Sequence, residues 1–207
     1  MLDMLPTIAV QVVLAIVLMV VTGVLLEPFM LFPRPRIGRG RLQQMARWYK
    51  ATEIEVVAED GNELYGWRLG DGSPLILFFS GNGSTVGASL ERYQLLEDTN
   101  VTIVQVNYRG YPGSQGRPFE KGLRQDARAA WAEARRTHEA KDIILLGKSL
   151  GGGVAIGLVA ELQQKGETPR ALVVESTFTA AVNVAAELLW WLPVRWFMRN
   201  RFNSMQF

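Results

Sequence analysis

Four runs of predominantly apolar residues, Pro74–Phe79, Val101–Val106, Ile143–Leu146 and Ala171–Val174, most constrain how this 207-residue chain can fold. Runs of this length without polar alternation suit strands buried on both faces of a parallel sheet. Between them lie segments of helical composition and spacing, Gly87–Glu97, Glu120–Glu139 and Gly151–Gln164, with Ala180–Trp196 as a fourth. Ahead of them, Thr52–Ala58 and Glu63–Leu69 flank Glu59-Asp60-Gly61-Asn62 and read as a hairpin. An antiparallel hairpin followed by four strand–helix alternations predicts an α/β class with a doubly wound, mostly parallel sheet. No internal repeat or low-complexity tract interrupts the pattern.

Part of the 48% apolar content lies outside that sheet. No charge occurs from Met4 to Leu26, and Ile8–Leu26 is interrupted only by Gln11, Thr22 and Gly23. Nineteen such residues in a helix reach ~28 Å, close to the ~30 Å hydrocarbon thickness of a bilayer. A cleaved signal peptide fits less well, because Asp3 stands where a basic start belongs and no A-x-A follows. We expect a transmembrane helix over residues 5–28. Arg34, Arg36, Arg39, Arg41, Arg47 and Lys50 follow it, with Glu27 the only acid between Leu26 and Glu53. The positive-inside rule then puts the chain after the helix in the cytoplasm, as a single-pass protein. Residues 1–32 are read as anchor, 33–50 as a stiff basic Pro/Gly linker that signals topology or lies against anionic headgroups, and 51–207 as the globular domain. The net charge of +2 is concentrated in the linker. Without a basic stripe or zinc spacing, no nucleic-acid partner is expected, and the lack of cysteine excludes disulfides and thiolate chemistry.

In an open α/β sheet, working groups collect at the carboxyl ends of the strands. The first parallel strand closes with Ser80-Gly81-Asn82-Gly83-Ser84, and the second with Asn107-Tyr108-Arg109-Gly110-Tyr111-Pro112-Gly113-Ser114-Gln115-Gly116. The third closes with Gly147-Lys148-Ser149-Leu150-Gly151, a G-x-S-x-G, and the fourth with Glu175-Ser176-Thr177-Phe178. A strand before the motif and an apolar helix after it are the context of a nucleophile elbow, in which Gly147 and Gly151 permit strained angles and close packing. No G-K-[ST] is present to make it a phosphate loop. The backbone N–H groups of Leu150 and Asn82 can converge as an oxyanion hole.

These four motifs in this order resemble the α/β-hydrolase superfamily over about residues 50–207. They are most similar to its membrane-anchored branch of depalmitoylating thioesterases and lysophospholipid lipases. The resemblance implies Ser149 as nucleophile, Asn82 and Leu150 as oxyanion donors, hydrolysis of esters or thioesters with an acyl-chain substrate, and no metal or other cofactor. Ser80 departs from the histidine usual in the relatives' H-G-N loop, where that histidine is generally structural. The relatives also carry an acid and the catalytic histidine on later strands. The domain is therefore expected to lack its C-terminal strands, and the alternative to an enzyme is an inactive truncated product or a membrane-tethered binding scaffold.

Neither acid nor base is identified among the remaining residues. His138, the one histidine, precedes the strand that Ser149 follows. That separates the two by roughly 20 Å, against the ~3 Å of a Ser–His hydrogen bond. His138 is expected at the surface, at the end of a polar helix. Glu175 is read as a structural carboxylate, Lys148 as pointing away from Ser149, and Arg109 and Tyr108 as braces of their loop. Ala180–Trp196, rich in Leu and Trp, is either an acyl-chain pocket or lid, or a helix face covered by further strands.

Overall fold

A computed structural model describes residues 4–89, 99–188, 190 and 194–203. The predicted Gly87–Glu97 helix lies mostly outside them; within them, Val86–Ser89 form a 3₁₀ turn. Six strands, β1 (Thr52–Val57), β2 (Glu63–Leu69), β3 (Leu75–Phe79), β4 (Thr102–Val106), β5 (Ile143–Lys148) and β6 (Ala171–Glu175), make one sheet of order β1-β2-β4-β3-β5-β6. The hairpin β1–β2 is antiparallel, β2 meets β4 antiparallel, and β4, β3, β5 and β6 run parallel. The mostly parallel sheet and its α/β order are those expected from the apolar runs.

The helices are α1 (Met4–Leu31), α2 (Arg39–Trp48), α3 (Glu120–Arg135), α4 (Leu150–Gln164), α5 (Ala181–Leu188) and α6 (Val194–Phe197). Helix α3 ends four residues before the predicted Glu139, at the turn that carries His138. The segment expected as one helix over Ala180–Trp196 is two, and Leu189 and Trp191–Pro193 lie outside the described residues. The main core packs α3 and α4 on the sheet through Leu75, Leu77, Leu123, Ile143, Leu145, Leu150 and Val154.

Two sequence expectations are corrected. Residues 33–50 are not merely a linker: α2 buries Leu42 and Ala46 against Tyr65, Trp67 and Ile103 on the sheet and Val86 of the 3₁₀ turn. Leu42 and Ala46 stand one turn apart, and that stripe holds the helix while its arginines stay in solvent. Nor is residue 32 a domain boundary, because Phe32 is 1% exposed and belongs to the main core. Strand β6, whose apolar run alone reads as buried on both faces, forms the exposed edge expected where the C-terminal strands are lacking. It ends the sheet, and Leu172, Val173 and Val174 are 37%, 47% and 43% exposed because no neighbour covers them among the described residues.

Helix α1 is long and apolar enough to cross a membrane, with Val13–Leu31 as its span and only 6% of it buried. That span sits five residues later than Ile8–Leu26, taking in Glu27, whose charge is satisfied inside the protein. The Glu27 carboxylate accepts the backbone N–H of Arg199 at 3.0 Å, the N–H of Asn200 at 2.8 Å and the Asn200 side-chain amide at 3.0 Å. Asn200 Oδ1 in turn accepts the N–H of Glu120 at 2.7 Å, capping α3 from 80 residues away.

Candidate active site

Ser149 stands between the end of β5 and the start of α4 with φ 50 and ψ −116. A serine in this region is strained by roughly 1–3 kcal/mol and persists only where its surroundings over-determine it. They do so here. Its N–H donates to Glu175 O at 2.9 Å, and its carbonyl accepts the N–H of Gly152 at 2.9 Å and the hydroxyl of Thr177 at 3.0 Å. Close backbone approach makes glycine necessary at both ends of the turn. A Cβ on Gly147 would lie 2.7 Å from Gly152 Cα, and one on Gly151 would overlap the Phe79 carbonyl group. The geometry is a strand–turn–helix elbow that lifts the serine to the carboxyl end of the sheet.

The loop after β3 reaches the same point because β3 and β5 are parallel neighbours with Phe79 opposite Gly147. Gly81 is buried beside the elbow, where a Cβ would touch that of Ser149 at 3.5 Å, and Asn82 next to it is exposed. Residues of the β4 loop hold this strand exit in place. Tyr108 donates its hydroxyl to Ser80 O at 3.0 Å, Tyr111 accepts the N–H of Gly83 at 3.3 Å, and Asn107 Oδ1 accepts the N–H of Val86 at 2.8 Å. Burial pushes the Tyr108 phenol well above its ordinary range and raises that of Tyr111, so both remain neutral donors or acceptors.

Arg109 is a brace. Its Nε and Nη2 donate to Asp126 Oδ1 at 2.9 and 2.7 Å, its backbone N–H donates to Asp126 Oδ2 at 2.9 Å, and Nη1 donates to Asp60 at 2.7 Å. Its guanidinium also lies over the Phe119 ring, 5.2 Å from the centroid. This fork ties the β4 loop to α3 and to the β1–β2 turn. Asp126, Asp60 and Thr177 were not legible as site supports, since they lie 17, 49 and 28 residues from the groups they hold.

Lys148 and Glu175 face each other as an ion pair at 3.3 Å, both part-exposed, which accounts for the lysine beside Ser149 and the carboxylate at the end of β6. His138 is half-buried rather than simply superficial. Its Nε2 lies 3.0 Å from Gly72 O and its Nδ1 2.9 Å from the Thr137 hydroxyl, at the amino edge of the sheet and opposite Ser149. No group of three or more metal-ligating side chains occurs among the described residues.

An elbow serine between a mostly parallel sheet and its following helix, with a glycine loop packed beside it, defines an α/β hydrolase. An α/β hydrolase from Vibrio vulnificus has the same fold, with a TM-score of 0.69 at 22% identity over 83% of this chain and 64% of that one. An esterase from Pyrococcus furiosus gives 0.59 at 20% identity, covering 80% and 64%. Residues 71–207 match the family described as serine aminopeptidase, S33, and the chain belongs to that family within the α/β-hydrolase superfamily. An uncharacterized protein of Mycobacterium tuberculosis is 33% identical over 160 residues, covering 74% of this chain and 55% of the relative. Lysophosphatidylserine lipase ABHD12 of Danio rerio is 35% identical over 127 residues, covering 60% and 33%. The chain thus spans about half the length of the first of these relatives and a third of the second.

Proposed function

We propose that this chain carries the nucleophile half of a membrane-anchored serine hydrolase of acyl esters or thioesters. The observation that supports it most is the positive-φ Ser149, held in an over-determined elbow with the Gly81 loop against its side chain. In the proposed reaction Ser149 Oγ attacks the acyl carbonyl, and the N–H groups of Asn82 and Leu150 receive the oxyanion. The alcohol or thiol leaves with a proton, and water then releases the acid from the acyl-enzyme. The names of the lipase and esterase relatives support an ester as substrate, and the long apolar helix supports a lipid one. We place the globular part on the cytoplasmic side, on the strength of Arg34–Arg41; a topology reporter fused after Phe207 that is active only on the other side overturns this.

The 207 residues hold one imidazole, and it is hydrogen-bonded at the amino end of the strands, away from Ser149. That placement of His138 favours, as a second reading, a membrane-tethered binding scaffold. Hydrolysis of a short-chain p-nitrophenyl ester by the purified chain separates the two. We expect turnover no more than about 10³–10⁴-fold over water, little changed by Ser149→Ala or His138→Ala because that remainder comes from the oxyanion donors and binding; robust turnover abolished by Ser149→Ala would show that a base acts on the serine. Robust turnover indifferent to Ser149→Ala would remove the nucleophile assignment. Retained binding of a long-chain ester analogue without any turnover would favour the scaffold.

A further inference from the structure

The end of the membrane helix and the nucleophile meet on one side of the body. Phe32 follows α1 directly and shares the main core with Leu150 and Val154 of the elbow helix. Its ring lies 6.2 Å from that of Phe202, edge to face. Pro33 comes next and abuts the loop beside Ser149, since a Cβ on Gly83 would lie 3.4 Å from its ring. Two residues earlier, Gly81 touches the elbow. The reach of so short a segment places Pro33 within about 17 Å of Ser149, in a body roughly 40 Å across. The joint is rigid: Glu27 binds the N–H groups of Arg199 and Asn200, Glu120 binds those of Arg201 and Phe202, and α6 packs on α1.

What surrounds this joint suits a bilayer surface. Phe29 and Met30 are exposed on the last turn of α1, and Arg34 and Arg36 are exposed immediately after it. Trp190 is 82% exposed, four residues before the helix that packs on α1. Two exposed apolar side chains, two arginines after them and a projecting indole are groups that suit acyl chains, headgroup phosphates and the interface between them. At the amino ends of the strands, opposite the elbow, stand His138 and Lys141, a strand length of ~20 Å further away.

We infer that the mouth over Ser149 faces the bilayer at headgroup level, so that the ester it receives is an amphiphile resident in the membrane rather than a soluble one. The inference rests on the proposed role of Ser149 only for the word ester; the orientation stands on the packing of α1. The test uses the full chain in phosphatidylcholine vesicles containing a headgroup-nitroxide lipid. Because the chain has no cysteine, Ser84→Cys and Lys141→Cys can each carry a single fluorophore. We expect quenching several-fold stronger at residue 84 than at 141, and equal or reversed quenching overturns the inference. Glu27→Ala in the Ser84→Cys background should bring quenching down toward that at residue 141. The first pair of labels decides the orientation even if Glu27→Ala fails to fold. A photoactivatable single-chain ester carried in the vesicles should mark the peptide containing Gly81–Ser84, and adducts confined to α1 would overturn the entry route. Neither label reports on chemistry, so failed hydrolysis with quenching intact removes only the proposed function, and the converse removes only this inference.

Discussion

Arg109 and Asp126 are both 3% exposed, and each is tolerable in the interior because the other is there. Removing the guanidinium leaves a buried carboxylate without its counter-charge, and releases the β4 loop that holds Ser80 and Gly83 beside Ser149. Arg109→Ala is expected to lower stability by about 3–5 kcal/mol in urea unfolding, far more than loss of a surface pair such as Lys141–Glu139. At Gly151 the obstacle is backbone rather than a movable side chain, so Gly151→Ala should cost about 1–3 kcal/mol and displace the elbow, read by the same unfolding curve. Both residues stood inside motifs visible in the sequence, and the need for glycine at the elbow could be stated from the motif alone. The identity of the arginine's partners could not, because Asp126 looks like any acid on an amphipathic helix until α3 is laid against the β4 loop.

Two elements show how local signals mislead. The arginines, prolines and glycines of residues 33–50 outweigh the few apolar residues of α2, yet Leu42 and Ala46 suffice to dock it once Tyr65 and Trp67 present a surface. Strand β6 shows the limit of composition alone: it reads as an interior strand, and its position at the end of the sheet, expected where the C-terminal strands are lacking, leaves apolar side chains in solvent. An exposed apolar edge templates pairing with other chains. The protein in detergent is expected to self-associate through this edge, and Val173→Lys should shift its sedimentation toward smaller species; an unchanged distribution would place the contact elsewhere.

Across the whole molecule, acidic groups join the hairpin to the layers behind it. Asp60 is held below its ordinary carboxylate range by its hydrogen bonds with Arg109, and Glu59 by those with Arg128. A depressed folded value means that these links contribute fully above the unfolded values of 3.8 and 4.5 and are lost as pH falls through the lower folded ones. Thermal midpoints should therefore drop as pH falls below about 4.5, and Asp60→Asn should flatten part of that acid limb while lowering the midpoint at neutrality. The same scale joins anchor and body, through a carboxylate that the sequence shows only as one acid at the end of an apolar helix.

What the sequence determined by itself was whatever depends on near neighbours. Strand order in the chain, the apolar helix, the elbow and its glycines follow from periodicity and steric need within a few residues, and each can be read where it stands. Tertiary structure alone decided which distant groups share a site. The parallel pairing of β3 with β5 brings Gly81 to Ser149, edge position exposes β6, and Glu27 finds its three donors in a segment 172 and 173 residues later. These contacts depend on how layers stack and where a sheet stops, and no local pattern encodes either, because the energy that selects them is gained only when the surfaces meet.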